Sequence, residues 1–202
     1  MASVLTQTPL SSVKAALRRD VIGRRDAWDT AARAAASARI TGHILTLECF
    51  RRARCILAYA SIGSEFDTAA LLSHVMKGKK LALPRVDRIH RALQLFFVTN
   101  LDGDLQPGVW GIREPRPDRC VPAPAEEIDL VLAPGVAFTR RGERLGYGAG
   151  YYDRLIARFT PPAPRPLIVA AAFDMQMVPD VPLSTTDQPV DYVVTETAIH
   201  AR

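Results

Sequence analysis

Residues 128–159 read IDLVLAPGVAFTRRGERLGYGAGYYDRLIARF. The opening IDLVLAP (128–134) has the composition of a buried strand. From Ala149 onward the spacing of Tyr152, Leu155, Ile156 and Phe159 places one apolar face on a helix. Between them Gly146, Gly148 and Gly150 alternate in RLGYGAGYYDR (144–154). A strand that runs through bare backbone into a helix is a unit of α/β proteins, and the rest of the chain repeats the alternation.

CILAYA (55–60), KLALPRV (80–86), LQLFFVT (93–99), PLIVAAAF (166–173) and VDYVVTE (190–196) read as further strands. TAALLSHVMK (68–77) reads as a helix, as do a stretch of alanines from about Asp26 and the segment Ile44 to Arg51. Ser11 and Ser12 are candidate N-caps for a helix with Val13, Leu17 and Val21 on one stripe. Lys14 and Arg18, four apart, share a neighbouring face of that helix. The helix after the glycines is expected to stop before PPAPRP (161–166). Residues 101–124, rich in Gly, Pro and charge and including GVWGIREPRP, read as a long surface excursion. Apolar strands alternating with helices predict a largely parallel sheet covered on both faces. With no internal repeat or linker, residues 1–202 are expected to form one domain.

The glycines do not complete a familiar nucleotide fingerprint. GxGxxG starting at Gly146 requires a small residue where Tyr151 stands, and no GK[ST] follows. What remains is backbone N–H exposed where a helix begins, a setting that favours an anion. The glycines alone favour a structural turn. With Arg144 and Arg154 flanking them and the Tyr-Tyr-Asp entry, a turn and a phosphate loop weigh equally. Asp153 is by default an acid in a first helical turn, stabilised by the dipole. Its functional reading is a Mg²⁺ ligand beside bound phosphates, with Asp191 at the mouth of VDYVVTE as a candidate second carboxylate.

Composition excludes several classes. Hydrophobic residues make up 48% and charged residues 23%, which describes a soluble globular chain. No apolar run reaches the roughly 18 residues of a spanning helix. MASVLTQTPLSSVK (1–14) lacks the basic head and apolar core of a secretion signal. Cys49, Cys55 and Cys120 form no CxxC, so a reduced, cytoplasmic protein is expected. His43, His74, His90 and His200 are scattered without HExxH, which argues against catalytic zinc. No GxSxG or Cys-His pattern offers a nucleophile. The net charge of +5 is concentrated early: residues 1–60 hold 10 Lys/Arg against 4 Asp/Glu, the remainder 16 against 17. Solvated helix faces account for most of that excess; an RNA surface or a polyanion site are the other readings. Glu65 sits in a loop after a strand, where α/β sheets bind ligands, although it also suits a helix entry. Trp110 is either loop packing or a flat wall for an aromatic ligand.

Taken in series, these segments resemble the 5-formyltetrahydrofolate cyclo-ligase family, also called 5,10-methenyltetrahydrofolate synthetase. APGVAFTRRGERLGYGAGYYDR (133–154) is similar to a family pattern of PGVAFD, a spacer and G-x-RLGxGxGYYD. KAALR (14–18), SEFDT (64–68), GVWGIREP (108–115) and VPLSTTDQPVDYVVTE (181–196) follow the family in order along nearly the whole chain. The resemblance implies a three-layer α/β/α sandwich, like that of sugar-phosphate isomerases and CoA transferases. It also implies ATP-dependent closure of 5-formyltetrahydrofolate to 5,10-methenyltetrahydrofolate through a phosphorylated imidate, with Mg²⁺ and without an enzyme nucleophile.

Carried over residue by residue, the resemblance implies that Lys14 and Arg18 approach the nucleotide phosphates. Arg144, Leu145, Gly146, Tyr147, Gly148, Ala149, Gly150, Tyr151 and Tyr152 would form the ATP loop, with Arg144 as the catalytic cation. Tyr147 through Tyr151 would also face the folate, beside Ala60, Glu65 and Trp110. Glu65 would accept hydrogen bonds from the pterin-like ring, and Asp153 and Asp191 would hold Mg²⁺. The chain departs from the family pattern at Thr139, where Asp is frequent, at Ala149, where Gly is, and at Thr186, where His is. The implied partners are small molecules, a reduced folate and ATP, with no nucleic acid or membrane, and the protein is expected to be a monomer. The alternatives are an isomerase or transferase of the same fold, and a basic nucleotide- or RNA-binding module. Tyr59, Trp28 and Phe50 are the only aromatics in the first 60 residues, thin material for base stacking.

Overall fold

The computed structural model describes residues 9–159 and 165–202. Two stretches discussed above, residues 1–14 and PPAPRP, therefore lie partly outside the described residues. The chain begins with helices α1 (Leu10–Asp26), α2 (Thr30–Thr46) and α3 (Glu48–Arg52). Strand β1 (Cys55–Leu57), helix α4 (Ala69–Val75) and strands β2 (Lys80–Asp87) and β3 (Ala92–Val98) follow. Short strands β4 (Leu105–Pro107) and β5 (Arg113–Pro115) pair with each other, and β6 (Leu130–Leu132) returns to the main sheet. Then come the hairpin β7 (Ala137–Phe138) and β8 (Arg144–Leu145), helix α5 (Tyr151–Ile156), and strands β9 (Leu167–Ala171), β10 (Tyr192–Val194) and β11 (Ile199–Ala201).

The main sheet has seven strands in the order β11-β10-β9-β6-β1-β2-β3. From β10 to β2 every pairing is parallel, whereas β3 and β11 run antiparallel at the two edges. Burial on both faces explains why β1 and β6 are unbroken apolar runs. Alternate side chains separate cleanly. Ile56, Leu81, Leu130 and Val169 pack under α2, α3 and α4, with Ile40, Ile44, Phe50 and Leu72. Cys55, Leu57, Ala82, Val131 and Ile168 face the opposite layer, with Leu155 and Ile156 of α5. The three-layer sandwich follows from that period of two.

Helix α1 belongs to neither layer. Its Val21 joins Val136, Ala137, Leu145 and Val181, so it packs on the β7–β8 hairpin. The expected caps Ser11 and Ser12 lie inside α1, which starts after Pro9 with no side-chain cap. Proline fixes its own φ and needs no amide there, so Ser11 and Ser12, two and three residues later, are already helical. The helix expected over 44–51 is split at Leu47, whose extended backbone ends α2 and starts α3. Within the excursion 101–124, β4 and β5 form a hairpin around a 3₁₀ turn at Val109–Gly111.

The turn of the β7–β8 hairpin is built by Thr139, one of the three residues that depart from the family pattern. Its buried hydroxyl donates to Glu143 Oε2 (2.8 Å) and accepts from the amides of Arg141 and Glu143. Gly142 closes the turn at φ +80, and a Cβ there would stand 2.2 Å from the carbonyl oxygen of Val190. Gly142 O in turn accepts from Val190 N (2.8 Å), which locks the hairpin to the segment leading into β10. Gly142→Ala is therefore expected to lower stability by more than about 1 kcal/mol. Urea denaturation measures it, and an unchanged midpoint would show that the turn relaxes freely.

Candidate functional site

Strand β1 is followed by Ala58, Tyr59 and Ala60, and the loop beyond is closed by reciprocal bonds. Ser61 N donates to Thr68 Oγ1 (3.1 Å) and Thr68 N to Ser61 Oγ (3.2 Å). This closure brings Glu65 back over the strand end, where Glu65 Oε2 accepts from Ile62 N (2.9 Å). Tyr59, Tyr147 and Tyr152 all feel the Glu65 carboxylate. Burial first, and then that charge, raises each phenol above its ordinary pKa, so all three remain protonated donors.

The second strand end, after β6, carries Pro134. Arg144, at the start of β8, reaches back to it: Nη1 donates to Pro134 O (3.1 Å) and Nη2 to Asp153 Oδ1 (2.6 Å). The Arg144 side chain is 2% exposed, and its Nε has no partner. Asp153 Oδ1 also accepts from Gln188 N (3.0 Å). Among the described residues no hydrogen bond reaches Asp153 Oδ2. Between Arg144 and α5 the chain turns through Gly148 at φ +105 and Gly150 at φ +69, conformations that favour glycine. Arg18 of α1 donates to Gly146 O (2.8 Å), and a Cβ on Gly148 would touch its guanidinium at 3.4 Å.

These segments enclose a cavity of about 450 Å³. Ala60, Glu65, Trp110, Arg144, Gly146, Tyr147, Ala149, Gly150, Tyr151, Tyr152 and Asp153 all line it. Ile62, Pro84, Val86, Leu93 and Ile112 supply apolar wall. Trp110 stands at the rim, 59% exposed, held at φ 58 and edge-on to Tyr151 with ring centroids 6.1 Å apart. Leu145 turns away into the α1 packing with Val21 and Val136. Lys14 lies on the α1 side, where it pairs with Asp187 and donates to Ser184 Oγ (3.4 Å). A second cavity, of about 520 Å³, is lined by Arg144 and Asp187, so Arg144 is a wall common to both.

Asp191 is not brought to this site. It precedes β10, a parallel strand, so it lies at the sheet end where strands begin, whereas Pro134 and Ala60 follow strands that finish. Its carboxylate accepts from Ile168 N (2.7 Å) and from Arg165 Nη1 (2.9 Å). Asp187 lies closer to the loop, since the amide of the next residue, Gln188, donates to Asp153 Oδ1. Burial alone would raise the Asp187 carboxyl, but hydrogen bonds from Lys14 and from Ser184 hold it below its ordinary value.

Three further residues were not singled out from the sequence. Buried Arg25 donates from Nε to Ser64 Oγ (2.9 Å) and from Nη2 to Tyr147 OH (3.0 Å), pinning α1 to both loops. Buried Glu114 of β5 lines the cavity and accepts from Val86 N (3.3 Å). Tyr59 follows β1. Glu114 and Asp187 stood inside quoted family segments, and Arg25 within the basic excess, but nothing local marked any of them. That excess also resolves: Lys14, Arg18 and Arg25 turn to the site, while Arg24 and Arg52 pair with Asp20 and Glu48 along exposed helix faces.

A parallel-centred sheet with a cavity over its carboxyl strand ends, flanked by a glycine loop and buried cations, defines an α/β protein for small anionic ligands. The family model described as the 5-formyltetrahydrofolate cyclo-ligase family matches residues 10–196, and the chain belongs to that family. Among its relatives, the 5-formyltetrahydrofolate cyclo-ligase of Mycolicibacterium smegmatis is 30% identical over 185 residues, covering 90% of this chain and 93% of that one. The Haemophilus influenzae 5-formyltetrahydrofolate cyclo-ligase is 32% identical over 152 residues, covering 75% and 80%. The solved structure of Aquifex aeolicus 5,10-methenyltetrahydrofolate synthetase superposes with a TM-score of 0.81 at 31% identity, covering 94% and 92%. No helix among the described residues is long and apolar enough to cross a membrane.

Asp153 is the counter-ion of a guanidinium that has left water, so Asp153→Asn leaves a buried charge uncompensated. A loss on the order of 3 kcal/mol is expected, with the fold already weakened before any ligand is added. Guanidinium denaturation of the unliganded variant measures this. Wild-type stability would show that the carboxylate does not hold Arg144.

Proposed function

We propose that the protein uses ATP to convert 5-formyltetrahydrofolate to 5,10-methenyltetrahydrofolate, releasing ADP and phosphate. The reading is carried by one observation: a single cavity presents a carboxylate among phenols, Glu65, and a buried guanidinium on a glycine loop, Arg144. Such a wall suits a ring system with N–H donors beside a transferring phosphoryl group. The names of the relatives support the same reaction.

The formyl oxygen attacks the γ-phosphorus, and the bond to ADP breaks. The lone pair of N10 then adds to the activated carbon. The carbon–oxygen bond breaks, phosphate leaves with its electron pair, and the N10 proton goes to phosphate. No enzyme nucleophile is required. The thiols conform to that: burial, followed by the charges of Asp129 and Glu127, pushes Cys55 up to about 11. Arg144, Arg18 and Lys14 carry the phosphate charge in this reading, and loop amides freed by the glycines add donors. Glu65 accepts from the ring, and Trp110 and Tyr151 flank it. The apolar wall of Val86, Leu93 and Ile112 keeps water from the phosphorylated carbon.

No group of three or more His, Cys, Asp or Glu able to hold a metal exists among the described residues. The donor set therefore fits a Mg²⁺ ion bound by one or two carboxylates together with nucleotide oxygens, and not a protein cage. We assign Asp153 Oδ2 and Asp187 to it; when bound, the ion would neutralise phosphate charge.

Mixing the protein with 5-formyltetrahydrofolate and Mg·ATP should produce the methenyl chromophore, and its absence would end this reading. Glu65→Gln should weaken folate binding by about 10- to 100-fold, the worth of a charge-assisted hydrogen bond, with ATP affinity nearly unchanged. Calorimetric titration of each ligand decides it. An unchanged folate constant, or equal losses for both ligands, would remove Glu65 from the folate pocket.

A further inference from the structure

Two wholly buried polar side-chain atoms on the cavity wall have no hydrogen-bond partner among the described residues. The two are Arg144 Nε and the Tyr152 hydroxyl. The Tyr152 ring packs with the α5 layer, which fixes where its oxygen points. Tyr147, its neighbour on the wall, has its hydroxyl engaged by Arg25 at 3.0 Å. Arg144 Nε belongs to a guanidinium whose other nitrogens already bond Pro134 and Asp153. Tyr152 has no such second purpose. Phenylalanine would pack equally well there, so a hydroxyl that finds no partner is destabilising in the unliganded protein.

The charges that share its wall say what it is for. Glu65 and Arg144 line the same cavity as Tyr152. The Glu65 carboxylate keeps the phenol protonated, and the Arg144 guanidinium opposes this. Tyr152 thus shares one wall with the residue read as holding the folate ring and the residue read as holding the phosphoryl group. In the proposed reaction, one atom lies between those two recognised groups in both steps: the formyl oxygen. It bonds to the folate carbon throughout, to phosphorus after the first step, and departs with phosphate in the second.

We infer that the Tyr152 hydroxyl is a catalytic hydrogen-bond donor to the formyl oxygen of the reduced folate, an assignment resting on the cyclo-ligase reading above. This places Tyr152 at the reacting centre, whereas the sequence reading placed it in the ATP loop. The bond is worth most when the carbon–oxygen bond breaks, because the departing oxygen then gains negative charge. The phenol keeps its proton: it stabilises that charge without transferring anything, and the proton balance of the reaction is unchanged.

The test is Tyr152→Phe, compared with wild type by methenyl absorbance across titrations of 5-formyltetrahydrofolate and Mg·ATP, together with thermal unfolding of both unliganded proteins. The expected result is a kcat reduced about 10- to 100-fold, both KM values within about threefold of wild type, and a Tm equal to or above wild type. A kcat within twofold of wild type would overturn the assignment. So would a lowered Tm, since the hydroxyl would then be serving a partner within the fold. A raised KM for Mg·ATP alone would return Tyr152 to the nucleotide. A wild type that forms no methenyl product would sink the reaction itself; an active wild type beside an equally fast variant would sink only the role of Tyr152.

Discussion

The ion pair between Arg144 and Asp153 organises everything around it. Arg144 starts β8, Asp153 lies in the first turn of α5, and the bond of 2.6 Å between them spans the glycine loop like a chord. The same guanidinium holds Pro134 at the end of β6, and the same carboxylate holds the backbone at Gln188. Four segments, three of them neighbours in sequence and the fourth 35 residues beyond Asp153, therefore meet on two side chains. Burying a guanidinium is costly unless its charge and its donors are met, so this pair sets the geometry more than it adds stability. With the chord in place, the loop between is a fixed arc, and its glycines supply the positive φ angles that close it.

Of the two readings evenly weighted from sequence, turn and phosphate loop, the backbone shows the turn. Gly148 and Gly150 adopt conformations that a turn demands, and the turn they make is also the wall of the cavity. A site of this kind has to be a well-specified turn first. Gly142 illustrates the contrast, since the same backbone freedom there serves only to dock a hairpin against Val190.

The fold was readable because burial imposes patterns. Strands such as CILAYA and IDLVLAP, apolar on both faces, can only be central, and five of the expected strands lie in the main sheet beside β6. The strands left unread were those without such a pattern: β4 and β5 of three residues each in the excursion, β7 and β8 of two each, and β11 of three at an edge. The site was half readable. Residues on one continuous loop, Arg144 through Asp153, could be taken from the sequence as a block. Residues that arrive from elsewhere could not. Asp191 and Asp187 are four apart, both acids in a loop, and only the direction of β10 shows that one faces the wrong end of the sheet. Arg25 differs from Arg24 in nothing but the helical face it occupies, yet one is buried against Tyr147 and the other pairs with Asp20 in solvent.

Helix α1 has a consequence for the order in which the molecule assembles. Its three site contacts, Arg18 to Gly146, Arg25 to Tyr147 and Lys14 to Asp187, span 128, 122 and 173 residues of chain. The sheet strands pair over much shorter separations, β2 with β3 through a tight hairpin. Loop-closure entropy makes the distant contacts the late ones. On a ribosome, α1 would emerge long before its partners exist and would wait, helical or not, until the glycine loop and the segment around Asp187 had been made. The central sheet can thus form while the glycine loop still lacks its clasp, and docking of α1 onto Gly146 and Tyr147 is the step that holds the finished loop in place.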